Sequence, residues 1–250
     1  MGYYINCIKQ SDNLVLDVKE LITDMNLRRR MSRVVRMGVS TALESLVDFD
    51  QYGKVDAIIT ATGLGCIADS EKFLANIITS QEKMLNPTPF IQSTFNTVGA
   101  QIALIRSLHC YNNTFSHRYT SFESALVDAI IRLDSGLASA VLIGVFDEAT
   151  PTLASIMSRM GLLKEKAVGE GAIFFVLTHQ QLSCSVAVIE EVVFDPLMLE
   201  GAISVSQATE TIWSGSVAEV IANLVSTRTD GWIHNDVGGK NNSLIKLRCL

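Results

Sequence analysis

The sequence predicts an α/β protein with a mainly parallel β-sheet whose faces are covered by helices. Strand-length segments and segments of helical periodicity alternate along the chain, which is typical of strand–helix–strand units. Two of the strands, residues 55–61 and 138–146, are almost continuously apolar, as expected when both sheet faces are buried. No long linker divides the 250 residues, so we expect one domain over residues 1–250.

The composition narrows the class of protein. The net charge of −6 argues against nucleic acid or an anionic membrane as the main partner. The longest apolar run, around residues 137–146, is too short to insert across a bilayer. Five cysteines and four histidines are scattered without paired spacing, so we expect no disulfide framework and no metal site. The start of the chain lacks the zones of a secretory signal, and we expect a reduced, cytoplasmic protein.

The amino-terminal third begins with a strand at residues 3–9, and residues 14–26 stay unassigned. The basic run at residues 28–33 is predicted to open a helix that continues to Leu46. Arginines at a helix start oppose the helix dipole, so a role in binding an acidic partner stays open beside the simpler interpretation of a solvated helix end.

A glycine turn follows the strand at residues 55–61. Gly63, Gly65 and Ala68 fit the loose dinucleotide pattern G-x-G-x-x-A, but no acidic residue closes a second strand at the required distance. A tight strand-to-helix turn that needs glycine explains the same residues. We therefore expect no nucleotide and no other cofactor here.

The central stretch is a strand, a junction, a helix at residues 122–133 and a buried strand at 138–146. A helix that leaves a strand points its unpaired N–H groups at the junction, where many α/β enzymes place a nucleophile. The junction here contains no cysteine. Its residues are His117, Arg118, Tyr119, Thr120 and Ser121.

The other predicted elements follow from periodicity and turn residues. They are a rigid connector at 86–89, helices at 69–79, 96–108, 151–163 and 216–225, strands at 173–177, 185–193 and 231–234, and a polar tail.

Five segments, in order, resemble the β-ketoacyl synthase branch of the thiolase-like superfamily. They are RRRMSR at 28–33, VDAIITATGLGCIADSEKFL at 55–74, PTPFIQSTFNTVGAQIAL at 87–104, AIIRLDSGLASAVLIGVFDEA at 129–149 and VGEGAIFFVL at 168–177. The resemblance implies a thiolase-like half fold, with a five-stranded mixed sheet between helices. Residues 183–250 match poorly, and the resemblance implies that they are a remnant of the family's second half.

The resemblance places the family's catalytic cysteine at about Tyr119. A phenol with an ordinary pKa of about 10 is no substitute, and its bulk fills the acyl tunnel. If residues 232–233 align with the family's strand, its first catalytic histidine falls at Asp236, and His234 comes two residues early. We therefore expect no catalytic residues. One alternative is a small acyltransferase that uses Ser121 as nucleophile and His117 as base, although helix capping is the commoner role of such a serine.

The resemblance as a whole implies a catalytically silent, chain-length-factor-like partner of an active β-ketoacyl synthase, in fatty-acid-like, polyketide or aryl polyene biosynthesis. The partner is that synthase or a second copy of this chain, and acyl carrier protein is reached through the partner. A homodimeric acyl-binding scaffold is a further alternative. In the family the strand before the nucleophile, here residues 113–118, pairs across the dimer axis. The candidates for partner or acyl contact are Asn96, Gln101, Phe115, His117 and Phe122.

Overall fold

A nine-stranded mixed sheet forms the frame of the protein. The computed structural model describes residues 2–163, 166–196, 199–236 and 242–250. The strands are β1 (Tyr3–Gln10), β2 (Ala57–Ala61), β3 (Tyr111–Phe115), β4 (Ala140–Asp147), β5 (Ala167–Val168), β6 (Gly171–Thr178), β7 (Ser185–Phe194), β8 (Ile203–Ser204), β9 (Thr211–Ile212), β10 (Gly231–Asn235) and β11 (Ser243–Cys249).

Helices connect most of the strands. They are α1 (Val18–Leu21), α2 (Met25–Arg30), α3 (Arg33–Phe49), α4 (Ile67–Thr79), α5 (Pro87–Gln92), α6 (Thr97–Arg106), α7 (Ser121–Asp134), α8 (Pro151–Arg159), α9 (Val205–Ala208) and α10 (Ser216–Thr227). Within the described ranges, none of them combines the length and the hydropathy of a membrane span.

The sheet order is β3-β2-β4-β6-β1-β7-β11-β10-β8, and β5 and β9 form a separate two-stranded sheet. The α/β class and the mixed sheet predicted from the sequence are confirmed. Two details differ. Strands β7, β11, β10 and β8 extend the predicted five strands to nine. Among the described strands of this sheet, β2 pairs in parallel with β3 and β4, and β10 pairs in parallel with β8, whereas the other five pairs are antiparallel. Antiparallel pairs therefore outnumber parallel ones.

Side chains that alternate along the central strands supply two hydrophobic cores, one on each face of the sheet. Ile59 and Val145 point into the core that contains α7 and α10. Ile58 and Leu142 point into the core that contains α3 and α6. All residues of β2 and β4 are buried, which explains the continuous apolar runs.

The arginine run ends a helix rather than opening one. Arg28, Arg29 and Arg30 lie in the last turn of α2, where positive charge is favourable to the helix dipole, and not at the start of α3 as expected. Met31 is extended and separates the two helices.

Three other segments also differ from the sequence-based expectation. The connector at 86–89 begins α5, because the side chain of Asn86 accepts the N–H of Thr88 and proline fits the first helical turn. The strand expected at 113–118 lies at Tyr111–Phe115, and a short 3-10 turn follows it. The expected polar tail contains β11, which lies between β7 and β10. Ile245 and Leu247 point into the core, and the alternating positions Lys246 and Arg248 are more exposed.

Candidate functional site

An apolar cavity of about 370 Å³ lies beside the start of α7. Cavities of this size hold small ligands in many proteins. Tyr119, Leu64 and Trp213 all contribute to its lining. The helical residues that line it are Leu153, Ile156 and Met157 of α8, followed by Met160 and Leu162. Leu64, Ile156 and Met160 are also partly exposed, so they mark its open side.

Tyr119 is held in the 3-10 turn between β3 and α7. The hydroxyl of Ser121 fixes this turn, because it accepts the N–H of His117 at 2.8 Å and donates to the carbonyl of Arg118 at 2.7 Å. The amide of Asn235 donates to the carbonyl of Tyr119 at 3.3 Å. Burial raises the pKa of the Tyr119 phenol, so the group stays protonated and is a weak nucleophile at neutral pH.

The structure does not pair Ser121 with His117 as a nucleophile and its base. The imidazole Nδ1 of His117 lies 2.8 Å from the hydroxyl of Ser124, and its ring contacts Phe115 edge-on at 6.0 Å. Ser121 is fully buried and its hydroxyl is used by the main chain. It is also not the helix cap that was expected: α7 begins at Ser121, and Thr120 takes the cap position without a capping hydrogen bond.

Asp147, at the end of β4, anchors the wall of the cavity. Its Oδ1 accepts the hydroxyl of Thr62 at 2.7 Å and the N–H of Gly63 at 2.9 Å. Its Oδ2 accepts the hydroxyl of Ser214 at 2.5 Å and the N–H of the same residue at 3.1 Å. Burial raises the pKa of Asp147, and these hydrogen bonds oppose the rise. Because both oxygens have donors, the carboxylate joins the turn after β2 to the segment before α10.

Burial and nearby acidic groups favour the neutral form of the Cys66 thiol. Cys66 is fully buried, and its pKa is raised by burial and by the charges of Asp69, Glu148 and Asp147. A thiol must ionise to act as a nucleophile. Among the described residues that line the cavity there is no cysteine.

Glu148 follows Asp147 and is satisfied by a different set of partners. Its Oε1 accepts the N–H of Ala68 at 3.0 Å, and Arg33 lies 3.9 Å from its other oxygen. Arg33 also binds Glu170 through two hydrogen bonds of 2.9 and 2.6 Å. The guanidinium therefore offsets part of the negative charge next to the cavity.

The other candidate residues lie apart from the cavity. Asn96 is exposed at the start of α6, Gln101 is half-buried within it, and Phe115 is half-buried at the end of β3. Phe122 has no exposed surface and packs edge-on against Phe175 with ring centroids 6.2 Å apart, so it is a core residue of this chain. His234 is buried in β10.

Sequence reasoning missed the apolar wall formed by α8 and by Trp213. The signal on α8 is the spacing of Leu153, Ile156, Met157 and Met160, which places four large apolar side chains on one helix face. Such a face is also typical of ordinary core packing, so the spacing alone does not indicate a cavity. Trp213 lies in a segment with no periodicity and gave no signal.

Comparison with known proteins identifies a family for most of the chain. The family described as beta-ketoacyl synthase, N-terminal domain, matches residues 9–228. A search of curated protein sequences finds no match.

Three solved structures share the fold. The ishigamide ketosynthase/chain length factor aligns with a TM-score of 0.73 at 14% identity, covering 94% of this chain and 86% of that one. The ketosynthase ApeO in complex with its chain length factor ApeC, from Xenorhabdus doucetiae, aligns with a TM-score of 0.67 at 16% identity, covering 99% of each chain. The AntDE:AntF complex of a type II PKS acyl-carrier protein with its ketosynthase aligns with a TM-score of 0.72 at 13% identity, covering 98% of each chain.

Proposed function

The chain belongs to the β-ketoacyl synthase family, and on that premise we propose that it is a catalytically silent, chain-length-factor-like subunit that associates with an active ketosynthase. Its apolar cavity holds part of the growing acyl chain, and the partner performs the condensation. Polyketide, aryl polyene and other fatty-acid-like pathways are the settings in which such a pair operates. Within the chain, residues 183–250 are a reduced counterpart of the family's second half.

The observation that carries the proposal is the position of Tyr119. The resemblance puts the family's nucleophile at about Tyr119, and this residue lines an apolar cavity and offers a protonated phenol in place of a thiolate. The cavity wall is largely apolar, which suits an acyl chain. The two carboxyl groups that also line it, Asp147 and Glu148, already accept hydrogen bonds from neighbouring groups of this chain. An acyl-holding site without a nucleophile is what a silent subunit requires.

The surface for the partner includes the outer edge of β3. Among the residues that the structure describes, this strand pairs only with β2, so its other edge offers unpaired N–H and C=O groups. Large exposed apolar side chains lie on α5 and α6 and between them: Phe90, Ile91, Phe95 and Leu104. The ring of Phe95 lies against Gly65, one residue from the cavity residue Leu64, so this apolar surface continues towards the cavity.

The test is to co-express this chain with a complete ketosynthase that carries the catalytic cysteine and both histidines. We expect a stable complex in which an acyl thioester labels only the ketosynthase, as measured by intact mass of both subunits. An acyl adduct on this chain that disappears in Ser121→Ala would overturn the proposal in favour of serine catalysis. A protein that self-associates and does not bind the ketosynthase would favour the homodimeric scaffold instead.

A further inference from the structure

We propose that Trp213 is the end wall of the apolar cavity and sets the longest acyl chain that the cavity accepts, an inference that rests on the acyl-holding function proposed above. The indole lies between two cavities of about 370 Å³ each. The first is the apolar cavity next to Tyr119. The second is lined largely by polar residues, among them Ser11, Asp12 and Asn223.

The partition between the two cavities consists of three residues that line both. They are Val168, Gly169 and Trp213. Val168 is half-buried and belongs to the short β5–β9 ladder, and Gly169 continues that ladder by donating its N–H to the carbonyl of Ile212 at 3.0 Å. Gly169 has no side chain, so the indole is the largest part of the partition.

The indole is fixed in a slot made by glycines. A Cβ at Gly169 would lie 2.5 Å from the indole, and a Cβ at Gly215 would lie 2.4 Å from it, so only glycine lets the main chain approach this closely. The indole N–H donates to Glu219 at 2.9 Å. Trp213 is 7% exposed, and its rigid placement makes it a wall rather than a mobile side chain.

A wall of this kind discriminates between chain lengths by burial. Each methylene that enters an apolar site improves affinity by about fourfold, until the chain meets the wall and further methylenes gain nothing. The second cavity has Asp12 and Glu219 in its lining, so a methylene that enters it gains less than one in the apolar cavity. Removing the indole joins the two cavities, so the limit moves to longer chains.

The experiment measures the affinity of saturated fatty acids of increasing length for the isolated full chain, by calorimetry. In the wild type we expect affinity to rise with length up to a limit and then to level off. Trp213→Ala should move the limit to longer chains and tighten binding of a chain that the wild type excludes by up to about fourfold for each additional methylene that becomes buried. Trp213→Phe should move the limit less. Trp232→Ala, a tryptophan that contacts Lys246 on β11, is the matched control and should keep the wild-type limit.

The outcomes distinguish a failure of the role inferred for Trp213 from a failure of the proposed acyl-holding function. If the wild type shows a length limit and neither Trp213 variant moves it, Trp213 is not the wall, while the acyl-holding function stands. If the wild type binds no fatty acid, the acyl-holding function fails and the inference fails with it. If Trp213→Ala does not fold by circular dichroism, Trp213→Phe decides: its limit must exceed that of the wild type.

Discussion

The two parts of the sheet are built differently. We call the strands β3, β2, β4, β6 and β1 the amino-terminal half of the sheet, because all of them except β6 come from the first 150 residues. Its central strands are covered on both faces, by α7 on one and by α3 on the other. In the carboxy-terminal half, strands β7, β11, β10 and β8, the described residues pack one face on α10 and carry charged pairs on the other. Glu190 there pairs with Lys246 at 2.9 Å and with Arg248 at 2.7 Å.

The difference separates the part that carries the site from the part that closes it. The turn with Tyr119 and the anchor Asp147 belong to the amino-terminal half. The segment that precedes α10 adds Trp213 and Ser214 to the cavity, and β10 adds the amide of Asn235 to the turn. The carboxy-terminal half can complete the cavity with a helix on only one of its faces, because the two-sided core is supplied by the amino-terminal half.

The largest effect is expected at the free edge of β3. The carbonyl of Phe115 accepts the N–H of Thr62, so Phe115 faces β2 and the preceding residue, Thr114, presents its N–H to the outer edge. Thr114→Pro removes that donor and should abolish association with the ketosynthase or with a second copy. Light scattering on the purified protein and on its complex measures the mass of the assembly.

The matched control at this edge is Thr114→Val, which keeps the backbone donor and loses only the hydroxyl contact with Thr60. It should associate like the wild type. A Thr114→Pro protein whose assembled mass is unchanged would mean that the interface lies elsewhere. The opposite edge, β8, has only two residues and offers no comparable ladder.

The second effect compares the two halves by truncation of one aromatic residue in each. Phe175 of β6 is fully buried against Phe122, and Phe175→Ala should lower the free energy of unfolding by about 3–5 kcal/mol. Phe194 of β7 is 46% exposed, and Phe194→Ala should cost less than about 1 kcal/mol. Urea titration of both variants gives the two values. Equal losses would contradict the contrast between the halves.

The third effect is a pH dependence at the junction of the halves. Glu123 of α7 accepts the amide of Asn235 at 2.5 Å and the hydroxyl of Ser243 at 3.0 Å, and its Oε2 has no partner among the described residues. Burial raises the pKa of Glu123 above its ordinary value of 4.5. The folded protein therefore favours the protonated acid, and this contribution to stability is lost as the pH rises from the unfolded pKa through the folded one.

Glu123→Gln cannot titrate and so removes this dependence. We expect the wild type to lose stability relative to Glu123→Gln as the pH rises from about 4.5 towards neutrality. Thermal melts of both proteins across that range measure the difference. Glu190→Gln is the control with the opposite sign, because Arg248 and Lys246 lower the pKa of Glu190. A constant difference between wild type and Glu123→Gln would show that Glu123 does not change its protonation.

The smallest effect is expected on the outer face of the carboxy-terminal half. Arg248→Ala removes an exposed contact with Glu190, and Lys246 remains to pair with the same carboxylate. Exposed ion pairs of this kind are screened by salt and contribute little, so the melting temperature in physiological salt should not change measurably. A loss as large as that of Phe175→Ala would mean that this face is covered in solution.

The sequence by itself determined the α/β class and the central strand–helix–strand stretch. A continuously apolar segment predicts a buried strand, and apolar residues at helical spacing predict a helix with one buried face. Strand β4 and helix α7 were therefore predictable from the local pattern. The absence of cysteine around Tyr119 is likewise a property of the sequence. These features depend on near neighbours in the chain.

Only the tertiary structure decided the cavity, its anchor and its end wall. Asp147 reaches Ser214, and Asn235 reaches Tyr119, across intervals of 67 and 116 residues that no local pattern encodes. Strand β11 lies inside the sheet because β7 and β10 supply its hydrogen bonds, although its own alternating sequence does not say which strands it pairs with. Trp213 becomes a wall only where Gly169, which is distant in sequence, and Gly215, which is two residues away, together form its slot. Such contacts depend on how elements pack, and packing is a property of the folded chain as a whole.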